Sequence, residues 1–306
     1  MEWSSTALRV LRAIAERGSF TAAAAALGYS QSAVSRQMAA LERAADARLF
    51  ERRPGGAGVR LTAAGVTLLW HASAALDEVD RAERIMHGAE PGGGSVRLGV
   101  FKSVGAAIVP ETLALMRGRR PDVQVVTREG STPSLVRGLR ATTLDLAVIS
   151  SRPPHPAPDD QSPPLRLDVL LEGDLLVAVP ARGELGRDGS VTLAELRDVT
   201  WISSTQAARG EPELGVWPAL PQRPVVGHQA QDWLSKFALV AAGCGVTTLP
   251  PYLVGLLPDN VRVVRVREGA PVSRRVLLAR PPGAQTDAVA ELADCLREAA
   301  EHLPVG

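Results

Sequence analysis

Gln31, Ser32, Ser35 and Arg36 share one face if the chain around them is helical, while Ala33, Val34, Met38 and Leu41 fall on the other. Such a polar face suits a nucleic-acid groove. Glutamine can bond adenine bidentately, arginine can bond guanine, and small serines let a helix approach closely enough to reach base or phosphate. Arg52, Arg53 and Arg60 flank the Gly-rich run 54–58 between two short extended stretches, which reads as a β-wing whose arginines reach phosphates or a narrow minor groove. Arginines at 9, 12, 17, 36, 43, 48, 52, 53 and 60 outnumber the acids at 16, 42, 46 and 51, so this segment is basic inside a chain of formal net charge +1. Arg43 and Arg48 fit a solvated or ion-paired role better than base contact.

The elements that must position these groups are marked by punctuation. Leu8, Leu11, Ile14 and Ala15 recur at helical spacing, Gly18 ends that helix, and Ser19 caps a second helix over 20–27. Gly28 breaks it, Tyr29 plugs the corner, and Ser30 caps the third helix, which carries the polar face. Two short helices joined by a Gly-containing turn place the second in a major groove. Thr62 can cap a long helix to about residue 89, in which Leu69, Ala72, Leu76, Val79 and Met86 form a seam interrupted by Glu83. A seam of this kind predicts dimerisation, and packing against the wing domain is the competing use.

Gly92–Gly94 end this region. Beyond them, strands are expected at 96–100, 123–127, 146–149, 175–179, 246–249, 261–266 and 276–279, alternating with helices at 111–119, 134–140, 232–242 and 287–301. The pattern predicts α/β architecture with mostly parallel sheets. The stretch 152–164 holds six prolines and reads as an extended surface loop. Bulk numbers exclude little: 306 residues suggest two or three domains, and an apolar share of 45% suffices for a core. Cys244 and Cys295 show no metal or disulfide spacing, and neither do His71, His87, His155, His228 and His302. No cofactor is expected. No Gly-x-Ser-x-Gly elbow or phosphate-cradling loop supports an enzyme, and His228 near Asp232 reads as structural. The first ten residues lack the apolar core of an export signal, which argues against a transport-associated binding protein, and no run of about 20 apolar residues spans a membrane. A cytoplasmic protein is expected.

The run Gly18-Ser19-Phe20-Thr21-Ala22-Ala23-Ala24, then Leu27-Gly28-Tyr29-Ser30-Gln31-Ser32-Ala33-Val34-Ser35-Arg36-Gln37, Leu41-Glu42, Leu49-Phe50-Glu51-Arg52 and Leu61-Thr62-Ala63-Ala64-Gly65 resembles the signature of LysR-type transcriptional regulators. Weaker echoes at 97–100, 129–132, 144–148 and 240–246 extend the resemblance over nearly the whole chain. Ser32 stands where that family usually has proline, and Ala23–Ala26 replace its usual basic residues. The resemblance implies an α+β multidomain fold: a winged helix-turn-helix at 1–62, a linker helix at 63–91 and a periplasmic-binding-protein-like effector domain at 95–306. Its first subdomain would hold 95–164 and 272–306, and its second 165–271. The implied partners are double-stranded DNA with a pseudo-palindromic operator, a small-molecule effector and further copies of the chain as homodimer or homotetramer. RNA polymerase is a further candidate partner.

In such a domain ligands bind at strand C-terminal ends and helix N-termini. The expected strand ends lead to Lys102 and Ser103, to Ser131 and Thr132, and to Ser150. By resemblance, Ser103 and Thr132 match effector-contacting positions, and Thr205 is a looser match. Free N–H groups, hydroxyls and Lys102 together predict an anionic effector, although Ser131 and Thr132 would equally serve as helix caps and Lys102 as a solvated side chain.

Overall fold

A computed structural model describes residues 3–52, 58–86, 94–152, 157–159, 161–204, 214–218, 220, 222–269 and 272–303. The expected N-terminal caps are all present. Helix α1 (Ser5–Arg17) ends at Gly18 with φ 72°. Ser19 accepts from the Ala22 amide at the start of α2 (Phe20–Leu27), which ends at Gly28 with φ 69°. Ser30 accepts from Ala33 at the start of α3 (Gln31–Ala45). Each cap satisfies an orphan amide and contributes about 1 kcal/mol. Strands β1 (Phe50–Arg52) and β2 (Val59–Leu61) pair antiparallel. Thr62 then accepts from Gly65 to start α4 (Ala63–Met86). Arg53 with residues 54–57 of the Gly-rich run, and residues 87–93, where the linker helix was expected to end, lie outside the described residues.

Val10, Leu11, Ile14, Val34, Met38, Leu41, Leu61 and Leu69 share one buried cluster. Leu69, Ala72 and Leu76 are therefore spent inside the chain, while Val79 and Met86 stay 47% and 83% exposed. The expected seam is thus split: its first half packs against the winged domain, and its second half faces solvent.

Among the described residues the larger region holds a five-stranded sheet, a four-stranded sheet and a separate two-stranded one. In the first, β3 (Ser95–Val100), β4 (Gln124–Glu129) and β5 (Leu146–Ser151) run parallel, and β13 (Ser273–Arg280) is antiparallel to both β5 and β6 (Arg166–Asp174). Helices α5 (Lys102–Ala107), α6 (Val109–Arg119), α7 (Thr132–Arg140) and α9 (Asp287–Glu301) accompany it. In the second sheet, β7 (Leu176–Pro180) is antiparallel to β11 (Thr247–Leu249) and β12 (Val261–Val266), and β8 (Ser190–Val191) pairs parallel with β12. A parallel pair, β9 (Thr200–Ser203) and β10 (Val225–Gln229), and helix α8 (Trp233–Ala241) complete this lobe.

Two expectations change here. The second sheet is largely antiparallel, because β11 reaches β12 through one 3₁₀ turn (Pro251–Leu256) rather than a full crossover helix. The division expected at 164/165 also falls too early: residues 166–174 pair along β13 in the first sheet, and the chain changes sheets at Leu175. There the Leu175 amide donates to the Val272 carbonyl at 3.0 Å, joining the two strands that cross between lobes. The main core runs through both lobes, bringing Val104 and Ile108 together with Phe237, Val240 and Tyr252. The proline stretch is less free than its composition suggests. The buried Arg140 guanidinium binds the Asp159 carboxylate at 2.6 and 3.1 Å and donates to the carbonyls of Gln161 and Pro163.

Candidate nucleic-acid interface and ligand cleft

Helix α3 presents Gln31, Ser32 and Arg36 to solvent with Ser35 half-buried behind them, while Val34, Met38 and Leu41 turn inward. The Gln31 amide donates to Ser35 Oγ at 3.1 Å, which orients its free carbonyl end. Ser32 and Ser30 hydroxyls lie 3.0 Å apart. Between this helix and the wing strands runs an open groove of about 510 Å³, bordered by Gln31, Ser35, Arg48, Glu51 and Val59. Arg60 pairs with Glu51 at 2.9 Å, so this wing arginine would have to exchange partners to reach a phosphate. The Arg52 side chain and all of Arg53 lie outside the described residues.

Two glycines hold this surface in register. A Cβ on Gly65 would sit 2.1 Å from the Leu49 carbonyl oxygen, so α4 can pass over the base of the wing only without a side chain there. Gly58, at φ 93°, lies against the Gly18 carbonyl, and that oxygen accepts from the Val59 amide at 3.0 Å. The winged domain is also docked on the first lobe. Arg137 of α7 donates to the Glu16 carbonyl at 3.0 Å, Arg128 pairs with the Glu16 carboxylate, and Ser73 donates to the Ala141 carbonyl.

Of the expected ligand-contacting residues, Ser131 caps α7 by accepting from Ser134, and Thr132 meets the Ser150 amide at 3.2 Å. These three do converge at one strand edge. Ser103 does not join them: it is buried and hydrogen-bonded to the Tyr252 hydroxyl at 3.0 Å, bridging α5 to the 3₁₀ turn. Burial pushes that phenol up to about 12, so the pair stays neutral. Lys102 is exposed and lies 3.9 Å from Glu129. Thr205 lies outside the described residues.

A second set of groups is not evident from the sequence. A cleft of about 140 Å³ between the lobes is lined by Arg152, Ser204, Val216, Trp233, Lys236 and Arg274. Lys236 is 2% exposed; it donates to Ser204 Oγ at 2.7 Å and stands 4.7 Å from the centre of the Trp233 ring. Burial pulls its ammonium down to about 8, partly opposed by Asp232. Burial and the neighbouring Arg152 pull Arg274 down to about 10. One signal does exist in the sequence: Lys236 is one of only two lysines and sits among the apolar residues of a helix. Nothing in the order of residues brings Arg152 and Arg274 to it.

A winged helix-turn-helix joined by a long helix to a two-lobed α/β cleft defines a ligand-responsive DNA-binding protein. Residues 5–66 match the family model of the bacterial regulatory helix-turn-helix protein, lysR family, and residues 89–301 match the LysR substrate binding domain. The chain belongs to the LysR family of transcriptional regulators. Similar proteins include a probable hydrogen peroxide-inducible genes activator of Streptomyces viridosporus, 30% identical with 97% of this chain and 95% of that one covered. The transcriptional regulator YnfL of Escherichia coli is 31% identical, with 89% and 90% covered. Among solved structures, a full-length OxyR variant from Pseudomonas aeruginosa shares the fold with a TM-score of 0.60 at 20% identity, covering 99% of this chain and 96% of its own. CbnR, a LysR family regulator, gives 0.51 at 24%, covering 97% and 100%. Among the described residues no helix is long and apolar enough to cross a membrane.

Proposed function

We propose that this regulator reads a pseudo-palindromic operator through Gln31, Ser32, Ser35 and Arg36, with Arg52, Arg53 and Arg60 on flanking phosphates, and that a small anionic effector in the interlobe cleft modulates it. The observation that carries this reading is the exposed polar face of α3 beside the wing groove, backed by a fully apolar inner face. A homodimer joined along the exposed part of α4, or a pair of such dimers, would set two such helices against two half-sites. Ser131, Thr132 and Ser150, which meet at one strand edge, are further candidates for ligand contact, as are Lys102 and Thr205. Peroxide induction, named for the Streptomyces relative, is not carried over. Cys295 is buried in α9 and its thiol is pushed up by burial, the opposite of a reactive thiolate.

The test is selection of bound sequences from random duplex DNA, followed by affinity measurements over a salt series. The expected result is a two-fold-symmetric motif bound with a steep salt dependence. Enrichment of no motif, or of one with no internal symmetry, would count against this assignment.

A further inference from the structure

We infer that the interlobe cleft is a clamp for a compact dianion of the short dicarboxylate class, gripped by Lys236 and Ser204 from the second lobe and by Arg152 and Arg274 from the first. This rests on the regulator reading above and specifies its ligand. Lys236 is buried with one hydroxyl and one aromatic face for company, and among the described residues no carboxylate lies within ion-pairing distance of it. Asp232, one turn earlier, is spent on the Ser235 amide at 2.7 Å as the cap of α8. Arg274, half-buried on β13, donates to the carbonyl of its own neighbour Ser273, and Arg152 stands exposed nearby. Three cations thus border one cleft, and no acid is among the described residues that line it.

Unpaired buried charge is costly and is retained where a counter-charge arrives from outside. Burial lowers the proton affinities of both Lys236 and Arg274, and at Arg274 the neighbouring Arg152 adds to it. The cations stand on both sides of the cleft. Their mutual repulsion opposes closure until an anion bridges them, and two anionic ends satisfy the geometry better than one. The volume of about 140 Å³ is well below the ~300–1,000 Å³ of sites for drug-sized ligands, which favours a compact anion. Trp233 and Val216 give the middle of the ligand an apolar wall.

Calorimetric titration of the full chain with malonate, succinate and inorganic phosphate, against acetate and the neutral succinamide, tests this. Malonate or succinate should bind tenfold or more tightly than acetate and more tightly than phosphate, and succinamide should not bind; binding of phosphate alone overturns the dicarboxylate assignment. Lys236→Met should weaken that dicarboxylate at least tenfold while raising the melting temperature of the unliganded protein; Arg187→Ala, a surface cation paired with Glu184, should leave binding unchanged. Should Lys236→Met fail to fold, Arg152→Ala carries the same expectation from an exposed position. Equal binding by these variants, equal binding of succinamide, or no saturable binding of any dianion at millimolar concentration overturns the inference. Gel shifts on the same samples separate the two readings: a wild-type chain that binds operator but no dianion sinks the clamp alone, and one that binds no duplex sinks the regulator assignment whatever the anions do.

Discussion

If Arg36 and Gln31 bond base edges as proposed, each substitution should cost selectivity rather than fold. Arg36→Ala should relax base preference by about 1–3 kcal/mol at one position of each half-site, read by competition between operator variants at fixed salt. Lys236 makes a prediction of the opposite kind. Its folded-state proton affinity, down to about 8, lies below that of the same lysine in the unfolded chain. Between about pH 8 and the ordinary lysine range the unfolded chain holds the extra proton, so stability rises with pH across that window. Below pH 8 both states are protonated and the cost of the buried charge is fully present. Urea midpoints measured from pH 7.5 to 10 should climb in the wild type relative to Lys236→Met. Dianion affinity should move the other way, weakening as pH rises past the point where the ligand-free ammonium loses its proton.

Helix α4 shows how local propensity can mislead. Replacing Gly65 by alanine would ordinarily favour a helix by about 1 kcal/mol. Here the new Cβ would collide with the Leu49 carbonyl, so Gly65→Ala should destabilise the winged domain by about 1–3 kcal/mol or more, visible in its thermal transition and in loss of operator binding. The same helix marks a limit of legibility. The three caps, the positive-φ glycines and the inward face of α3 are readable because capping and 3.6-residue periodicity are local. Which half of an apolar seam is consumed by its own domain is not, because that depends on where α1 lies. Arg9 reaches Asp80 at 2.6 Å and fixes α1 along α4. Likewise β6 is hidden in the sequence: its alternation is interrupted by charged residues on an edge strand, and β9 and β10 are too short or too mixed to stand out. The hydroxyls at the strand ends are legible from the α/β pattern, whereas the cation cluster joins residues 152, 236 and 274 through the lobe crossing and exists only in the folded chain.

Assembly follows from what α4 leaves uncovered. Val79 and Met86 sit two turns apart on one face, and a second copy of the helix is the natural cover for them. Val79→Glu with Met86→Glu should shift sedimentation towards monomer and weaken binding to a full operator far more than to a half-site, with the melting of the winged domain little changed. Among the described residues the chain passes between the lobes at Leu175 and again before Val272, and the bond between Leu175 and Val272 ties the two passages together. The docking of α7 on α1 is the other joint. Arg137→Ala should leave anion binding and half-site affinity near wild type while reducing the change in operator affinity that the ligand produces.

Gly18 gives that last joint its meaning. Its carbonyl anchors the first residue of the second wing strand, and the aliphatic part of Arg137 rests 3.5 Å from where its own side chain would begin. A single peptide unit is therefore touched both from the sensing half of the molecule and by the second wing strand, which the proposed reading lays along the DNA backbone. On that reading a tilt of α7 should reach the wing through Gly18 as well as α3 through α1. Ligand should accordingly alter how firmly the protein grips flanking phosphates, and so the bend and footprint of the bound duplex.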